Sequence, residues 1–190
     1  HAPYGYLDDP YRPEYSYLRR VDYCSLEAFA VRTVLFHELG GFARQWGCSS
    51  FRGIDIAFRL RQAGYNVYYQ SNAMVVRSCG DVTAIGVDSA PDTGFEALRR
   101  QFAETWSKAL RAHAASMNDM DDGKDRNVAK RVFVADYALP TPDRDSGSVR
   151  MFNLLMLLQE QGFKITFASM GLETRQPYLA DLQGRGVECL

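Results

Sequence analysis

The clearest alternation of hydrophobic and polar positions lies in the last third of the chain. Residues 130–140 and 163–169 are apolar runs rich in β-branched and aromatic residues, which predicts two buried strands, and a third strand begins at Val187. A helix is predicted between the first two, with four apolar residues on one stripe and Gly162 as its end: Met151, Leu154, Leu155 and Leu158. A second helix is predicted over residues 177–186. Strand, helix, strand, helix and strand with short connections predict a parallel α/β unit.

An amphipathic helix is also predicted over residues 54–64, with Gly64 as its end. One face carries the apolar residues Ile56, Leu60 and Ala63, which predicts a buried stripe. The opposite face carries the polar residues Asp55, Arg59 and Gln62. These polar positions are therefore expected on the side away from the buried stripe.

The other elements of the first two thirds follow from the same kind of pattern. From Phe95, apolar residues recur every four positions and predict a long amphipathic helix: Leu98, Phe102, Trp106 and Leu110. Strands are predicted over residues 21–32, 65–69 and 73–77, and a short helix over 33–41. Residues 1–20, rich in tyrosine and proline, are expected to form an extended arm that packs on a core.

Residues 116–127 are polar and charged and predict a solvated linker, after which the pattern changes to the parallel unit. We therefore expect a first domain over residues 1–118, a linker over 119–129 and a second domain over 130–190. The chain starts at His1 and stops as a strand begins, so we expect it to be a piece of a longer polypeptide.

Composition narrows the functional class. The 190 residues are 46% hydrophobic and 24% charged, as in globular proteins, and a net charge of −1 disfavours nucleic acid as a partner. The four cysteines form no C-x-x-C pair and no apolar leader precedes them, so reduced thiols in the cytoplasm are expected. The longest apolar run, residues 151–158, contains Asn153 and is far shorter than the ~20 residues that a transmembrane helix needs.

Several stretches resemble two glycosyltransferase families. "PEYSYLRRVDYCS", "ELGGF", "DIAFRLRQAGYNVYYQ" and "RQFAETW" resemble, in that order, the C-terminal half of a family-two domain with the A-type nucleotide-diphospho-sugar transferase fold. Residues 131–167 resemble the first β-α-β unit of a family-four, B-type glycosyltransferase. The pair resembles bacterial proteins of O-antigen and surface-polysaccharide assembly. The resemblance implies a partial A-type fold followed by a partial Rossmann-like β-α-β-α-β unit.

The family-two resemblance implies a candidate for general-base catalysis. An inverting sugar transfer needs a carboxylate to take the proton of the attacking hydroxyl, and the family has a Glu-Asp pair followed by a further Asp. Aligned on "GGF", the pair is replaced here by Arg52 and Gly53, and Asp55 is the remaining acid. The alternative for Asp55 is a structural i, i+4 ion pair with Arg59, which is worth about 0.2–0.5 kcal/mol.

The metal site of the family also departs from its pattern here. Arg77 and Cys79 stand where the family has a histidine and a glutamate, and Ala43 stands where an Asp usually follows "GGF". The family's Asp-x-Asp belongs to the half that these residues do not resemble. His37 and His113 are not at metal spacing. We therefore expect no metal or other cofactor within this chain, whereas a parent family-two domain would use Mn²⁺ or Mg²⁺.

A second candidate site is the loop between the first strand and the first helix of the parallel unit. Open α/β sheets bind ligands at the carboxyl ends of their strands, so Asp145, Ser146, Gly147 and Ser148 are candidate substrate-binding residues, through the amides at the helix start. The alternative is an ordinary turn capped by Asp145 or Ser146. The loop lacks the G-x-G-x-x-G pattern, so no nicotinamide cofactor is implied.

Two functional hypotheses follow from the resemblance. One is a fragment of a hexosyl-transferring enzyme that moves sugars from nucleotide-sugar donors to a growing cell-surface polysaccharide. The other is a catalytically degenerate transferase domain that serves as a scaffold or acceptor-binding module. In both, the partners are a nucleotide sugar and a glycan acceptor of the full-length parent, with the chain in the cytoplasm or at the inner face of the membrane beside a membrane-linked acceptor. This chain alone is expected to be inactive.

Overall fold

The protein is a mixed α/β chain with two small sheets, and its computed structural model describes residues 9–47, 49–75, 93–111, 124–125, 128–171 and 176–190. These residues divide into two compact units. The first comprises residues 20–69, Val75, 93–111 and Lys124, and the second comprises residues 9–19, 70–74, Asp125, 128–171 and 176–190. The predicted linker lies largely outside the described residues.

The first unit is mainly helical. A two-stranded sheet pairs β1 (Arg19–Val21) with β2 (Val67–Tyr69). Four helices are described: α1 (Thr33–Glu38), α2 (Ser49–Gln62), α3 (Thr93–Thr105) and α4 (Ser107–Leu110). The helices predicted over residues 33–41, 54–64 and 95–110 are thus confirmed as elements, with α2 starting five residues earlier than expected and the last helix divided at Trp106.

An aromatic cluster forms the core of the first unit. Its buried members come from α2, α3 and the turns beside them: Trp46, Phe51, Phe58, Phe102 and Trp106. The ring centroids of Trp46 and Phe102 are 5.2 Å apart, and those of Phe58 and Trp106 are also 5.2 Å apart in an edge-to-face arrangement. Such pairs add to the hydrophobic gain of burial. The four-residue spacing of Phe102 and Trp106 therefore identified one side of this core.

The predicted faces of α2 are only partly right. Ile56 and Leu60 are buried, but Ala63 is exposed because α2 ends at Gln62 and the chain turns at Gly64, whose φ is +85°. Asp55, predicted on the polar face, is only 2% exposed. Its burial results from a contact with Trp106, which is 51 residues away in sequence.

Two predicted strands of the first unit are wrong over their described residues. Residues 22–32 contain no strand: Leu26–Ala28 is a 3₁₀ turn, because the side chain of Ser25 accepts a hydrogen bond from the backbone N–H of Glu27. Ser side chains commonly compete in this way with regular structure. Residues 73–75 are also outside any strand, and residues 76 and 77 lie outside the described part of the chain.

The second unit confirms the predicted parallel α/β order. Its elements are β3 (Lys130–Asp136), α5 (Ser146–Glu160), β4 (Phe163–Ser169), α6 (Tyr178–Gly184) and β5 (Glu188–Cys189). The sheet order is β3-β4-β5 and both pairings are parallel, with Val134 opposite Phe167 and Phe167 opposite Cys189. The A-type and B-type folds that the resemblance implies are more specific than this parallel α/β order and stay predictions.

One face of the sheet carries the hydrophobic core of the second unit. Ile165 and Phe167 of β4 are fully buried and pack in one cluster with Leu155 of α5 and Leu182 of α6. Leu154, predicted on the buried stripe of α5, is instead 46% exposed, because the buried face centres on Leu155. The alternation of a strand puts Arg131, Phe133, Lys164, Thr166 and Glu188 on the opposite face, by the register of the three strands.

The N-terminal arm belongs to this second unit. Between Asp9 and Leu18 it forms a 3₁₀ turn, Pro13–Tyr15, and otherwise neither helix nor strand. Tyr17 is 3% exposed, and the backbone N–H of Leu18 donates to the carbonyl of Gln183 at 2.8 Å. The expectation of an aromatic arm packed on a core is met by Tyr17. None of the described helices is long and apolar enough to cross a membrane.

Candidate functional site

The carboxylate of Asp55 is buried inside the first unit and accepts hydrogen bonds on both of its oxygens. Trp106 donates its indole N–H to Oδ1 at 3.1 Å. Arg59 donates from Nε to Oδ2 at 2.8 Å, and its Nη2 lies 2.7 Å from the same oxygen. Both oxygens of this buried carboxylate are therefore occupied. Burying a charge is costly unless it is paired and hydrogen-bonded, and Asp55 meets both conditions.

Arg59 carries the network on to the turn after α1. Its Nη1 donates to the carbonyl of Leu39 at 2.6 Å and its Nη2 donates to that of Gly41 at 2.7 Å. This turn contains Gly40 and Gly41 at φ values of +78° and +67°, a conformation that glycine adopts readily. The carbonyls at a helix C-terminus need outside donors, and a cation placed there is favourable. Asp55 thereby fixes the side chain that caps α1.

Arg52 and Gly53, which replace the Glu-Asp pair of the resemblance, lie within α2 and not in a turn before it. Gly53 is buried against the 3₁₀ turn of residues 26–28, and a Cβ there would lie 2.9 Å from Cγ of Leu26 and 3.5 Å from the carbonyl oxygen of Cys24. An aspartate at position 53 would require the side chain of Leu26 to shift. The replacement of the acid by glycine is thus matched by the packing around it.

The Nε of Arg52 is buried without a hydrogen-bond partner in the described part of the chain. A guanidinium stays protonated and cannot serve as a base.

The remaining residues of the implied metal site do not converge in the described structure. Ala43 packs at the edge of the aromatic core, and His37 is exposed on α1. Arg77, Cys79 and His113 lie outside the described residues. Within the described residues no three His, Cys, Asp or Glu side chains are grouped as a metal site. Because Asp55 already accepts hydrogen bonds on both oxygens, it does not fit the role of an open carboxylate ligand for Mn²⁺ or Mg²⁺.

The two cysteines that the structure describes are free thiols. Burial raises the pKa of Cys24 above its ordinary value, and burial, followed by the neighbouring carboxylate of Glu188, raises that of Cys189 to about 12. Both thiols are therefore protonated at neutral pH and poor nucleophiles. Cys48 and Cys79 lie outside the described residues.

The loop between β3 and α5 brings together the second set of candidate residues. Asp145 is the N-cap of α5: its Oδ1 accepts the backbone N–H of Ser148 at 2.7 Å, and its Oδ2 accepts the Ser148 hydroxyl at 2.6 Å. The buried Thr141 donates its hydroxyl to the same Oδ2 at 3.3 Å. This is the geometry of a capped turn. Ser146 and Gly147 are exposed beside it.

Hydrogen bonding sets the charge state of this cap. Donation by the Ser148 hydroxyl, then by its backbone N–H, lowers the pKa of Asp145 below its ordinary value, and the Thr141 hydroxyl and the Gly147 N–H add to this effect. Asp145 is therefore ionised at neutral pH, at a helix N-terminus where a negative charge is favourable. The backbone N–H groups at the start of α5 were predicted to bind a substrate, but those of Ser148 and Gly147 already donate to Asp145.

A buried ionic cluster on the second unit was not predicted from the sequence. The ammonium of Lys164 lies 2.8 Å from Oδ1 of Asp125 and 2.7 Å from Oε2 of Glu188, and Arg131 reaches Oδ2 of Asp125 at 3.3 Å. Burial alone would lower the pKa of Lys164, but its hydrogen bonds to Asp125 and Glu188, with a smaller contribution from Tyr17, outweigh burial and raise it. The sequence did contain a signal for this cluster. Two predicted buried strands each carry one charged residue, Lys164 in "FKITF" and Glu188 in "VECL", and the two charges are of opposite sign.

The sequence and the structure of this chain were compared with those of known proteins, and no relative was found. Neither a protein-family model nor a curated protein nor a solved structure matches this chain. The family resemblances therefore remain hypotheses.

We predict that Asp55→Asn destabilises the first unit. The substitution removes the buried charge that pairs with Arg59. It also places an amide NH₂, which is a donor, beside groups that are themselves donors. Breaking a buried pair typically costs about 3–5 kcal/mol. Urea unfolding followed by tryptophan fluorescence would measure this, because Trp46 and Trp106 both lie in the aromatic core.

The matched control for Asp55→Asn is Glu96→Gln, which removes the exposed i, i+3 pair of Glu96 and Arg99 on α3. Exposed pairs contribute about 0–1 kcal/mol, so this variant should unfold nearly as the parent does. Equal stability of Asp55→Asn and the parent would contradict a structural role for Asp55.

We predict that Asp145 makes the stability of the second unit pH-dependent. Its pKa is lower in the folded state than in the unfolded chain, so its contribution is present above the unfolded value of about 3.9 and is lost as pH falls through the folded value. Asp145→Ala should therefore lower the melting temperature at pH 7, and this difference from the parent should vanish in acid.

Circular dichroism melting at successive pH values would follow this effect. Asp145→Asn keeps an acceptor for the Ser148 N–H and should melt above Asp145→Ala at pH 7, since Asn is also a good N-cap. Asp143→Ala, an exposed neighbour in the same loop, serves as the control. A stability difference for Asp145→Ala that is constant from neutral to acid pH would contradict the cap.

Proposed function

We propose that this chain is part of a glycosyltransferase of cell-surface polysaccharide assembly, in which the first unit is a non-catalytic module and the second unit binds the glycan acceptor. The proposal rests on the resemblance of both regions to transferase families and on one structural observation. The observation is that the carboxylate of Asp55 is buried and has both oxygens occupied. A general base must be within hydrogen-bond reach of the acceptor hydroxyl, whereas Asp55 is buried away from solvent and already accepts a hydrogen bond on each oxygen.

The acceptor-binding part of the proposal is supported by the carboxyl end of the parallel sheet. Parallel α/β sheets bind their ligands at this edge. Tyr137 and Met170, which directly follow β3 and β4, are 76% and 73% exposed. The backbone N–H of Met170 donates to the carbonyl of Asp136 at 3.0 Å and that of Gly171 to the carbonyl of Tyr137 at 2.9 Å, so the two strand ends are held together.

The chemistry of this edge suits a sugar. An exposed tyrosine ring offers an apolar face on which the apolar face of a pyranose can stack, and its hydroxyl can exchange hydrogen bonds with sugar hydroxyls. Ser146 and Gly147 are exposed at the start of α5, beside the same edge. Arg144 donates to the hydroxyl of Tyr178 at 3.2 Å and ties this loop to α6. The edge is thus a fixed surface with an exposed aromatic ring.

We expect the chain to release no nucleoside diphosphate from a panel of nucleotide sugars in the presence of Mn²⁺ or Mg²⁺ and an oligosaccharide acceptor. The reason is that neither Asp55 nor the positions of Arg52 and Gly53 supply a free carboxylate. A coupled nucleotide-release assay would measure this, with a known glycosyltransferase as the positive control. Reproducible release above the protein-free rate would contradict the non-catalytic assignment.

We expect oligosaccharides of bacterial surface polysaccharides to bind at the carboxyl edge and Tyr137→Ala to weaken this binding. Loss of a stacking ring should raise the dissociation constant about tenfold, equivalent to ~1.4 kcal/mol. Titrations followed by amide chemical shifts would locate the site. Phe133→Ala is the matched control, because Phe133 is an aromatic residue of the same strand, 61% exposed, four positions before Tyr137. Equal binding by both variants, or binding by neither parent nor control, would contradict the proposal.

A further inference from the structure

The second unit is interrupted in sequence by the first. Its described residues come from the N-terminal arm 9–19, from residues 70–74 and from Asp125 onward. The chain therefore leaves the second unit after Arg19 and returns to it for the last time at Asp125. The residues next to these two crossings, Tyr17 and Asp125, are both buried, at 3% and 6% exposure.

Both crossings are in contact with a single side chain, that of Lys164 on β4. Its ammonium lies 2.8 Å from Oδ1 and 2.9 Å from Oδ2 of Asp125, and 5.4 Å from the centroid of the Tyr17 ring. A cation at this distance from an aromatic ring is attracted by it, most strongly where water is excluded. The side chain of Lys164 is only 10% exposed.

The charges around Lys164 make its ammonium necessary. The carboxylates of Asp125 and Glu188 both face it, at side-chain exposures of 7% and 6%, and Arg131, which is more exposed, also reaches Asp125. Without Lys164 two buried carboxylates would share one site, which raises the free energy of the charged state. Removal of one partner of a buried ion pair is strongly destabilising for this reason.

Tyr17 is also held by the backbone beside it. The N–H of Leu18 donates to the carbonyl of Gln183 at the end of α6. The carbonyl oxygen of Leu18 would lie 3.1 Å from a Cβ at position 186, where Gly186 has a φ of +90°. The arm therefore approaches the turn between α6 and β5 closely, on backbone that only a glycine fits without strain.

We propose that Lys164 is a clasp that holds the outgoing arm 9–19 and the returning residue Asp125 on the second unit, and that loss of its charge releases both together. The two segments are separated by more than 100 positions in sequence, and both contact this ammonium. Coupling through one group is reciprocal, so weakening Asp125 also loosens the arm. The clasp goes beyond the proposed transferase role and does not depend on it.

Hydrogen exchange of the full-length chain, followed by mass spectrometry, tests the clasp. In Lys164→Met, amides of residues 9–19 and those that follow Asp125 should exchange faster by about 100-fold or more, given the cost of an unpaired buried charge. Amides of α2 and α3 in the first unit should keep the parent rates. Lys130→Met is the matched control: it is an exposed lysine on the neighbouring strand β3 and should change neither segment. Parent-like exchange of residues 9–19 in Lys164→Met would overturn the proposal.

Asp125→Asn provides a second, milder test that decides the matter if Lys164→Met does not fold. It keeps the size of the side chain and removes the charge on one side of Lys164 alone. The clasp requires faster exchange in residues 9–19, on the order of tenfold, although the substitution is made at the other crossing. Faster exchange confined to residues near position 125 would show that the two crossings are held independently and would overturn the clasp.

Discussion

Asp55 is only 2% exposed, so protein groups must replace the hydrogen bonds that water would give its carboxylate. Much of the first unit is arranged around this requirement. The Trp106 indole and the Arg59 guanidinium fill both oxygens, and Arg59 extends the network to the carbonyls of Leu39 and Gly41. One buried charge therefore joins α2, the end of α3 and the glycine turn after α1. The desolvation cost of such a group is offset only while every one of these partners is in place.

The burial of Asp55 also explains why the geometry around it differs from the catalytic turn that the resemblance implies. A catalytic carboxylate needs an oxygen that faces the substrate, whereas Asp55 faces a donor on each side. Gly53 allows Leu26 of the 3₁₀ turn to pack directly on α2, and a side chain at position 53 would require Leu26 to shift. The residues that depart from the family pattern are thus integrated in the packing of this unit.

Local patterns predicted the elements well and the charged contacts poorly. The periodicities of residues 95–110 and 149–162 and the apolar runs at 130–140 and 163–169 identified the helices, the strands and their parallel order, because these depend on neighbours in sequence. Asp55 was assigned to a polar face because no helical pattern reveals a tryptophan 51 residues away. The strand predicted from Val21 failed because Ser25 starts a turn through its own side chain. A hydrophobic pattern thus carries no information on two kinds of interaction, hydrogen bonds between distant residues and side-chain caps of local turns.

The two buried ionic groups of this chain use the same physics in different ways. In the first unit the anion is the central group, and two donors converge on it, the cationic Arg59 of α2 and the neutral Trp106 after α3. In the second unit the cation is central, and Asp125 and Glu188 converge on Lys164 from segments before β3 and on β5. Replacing a whole buried ion pair by apolar residues is often neutral or stabilising, whereas removing one partner alone is strongly destabilising, so we infer that such groups contribute more to the choice of the segments that meet there than to net stability. In the clasp that we propose, Lys164 accordingly selects the arm and the returning chain as the segments that dock on this sheet.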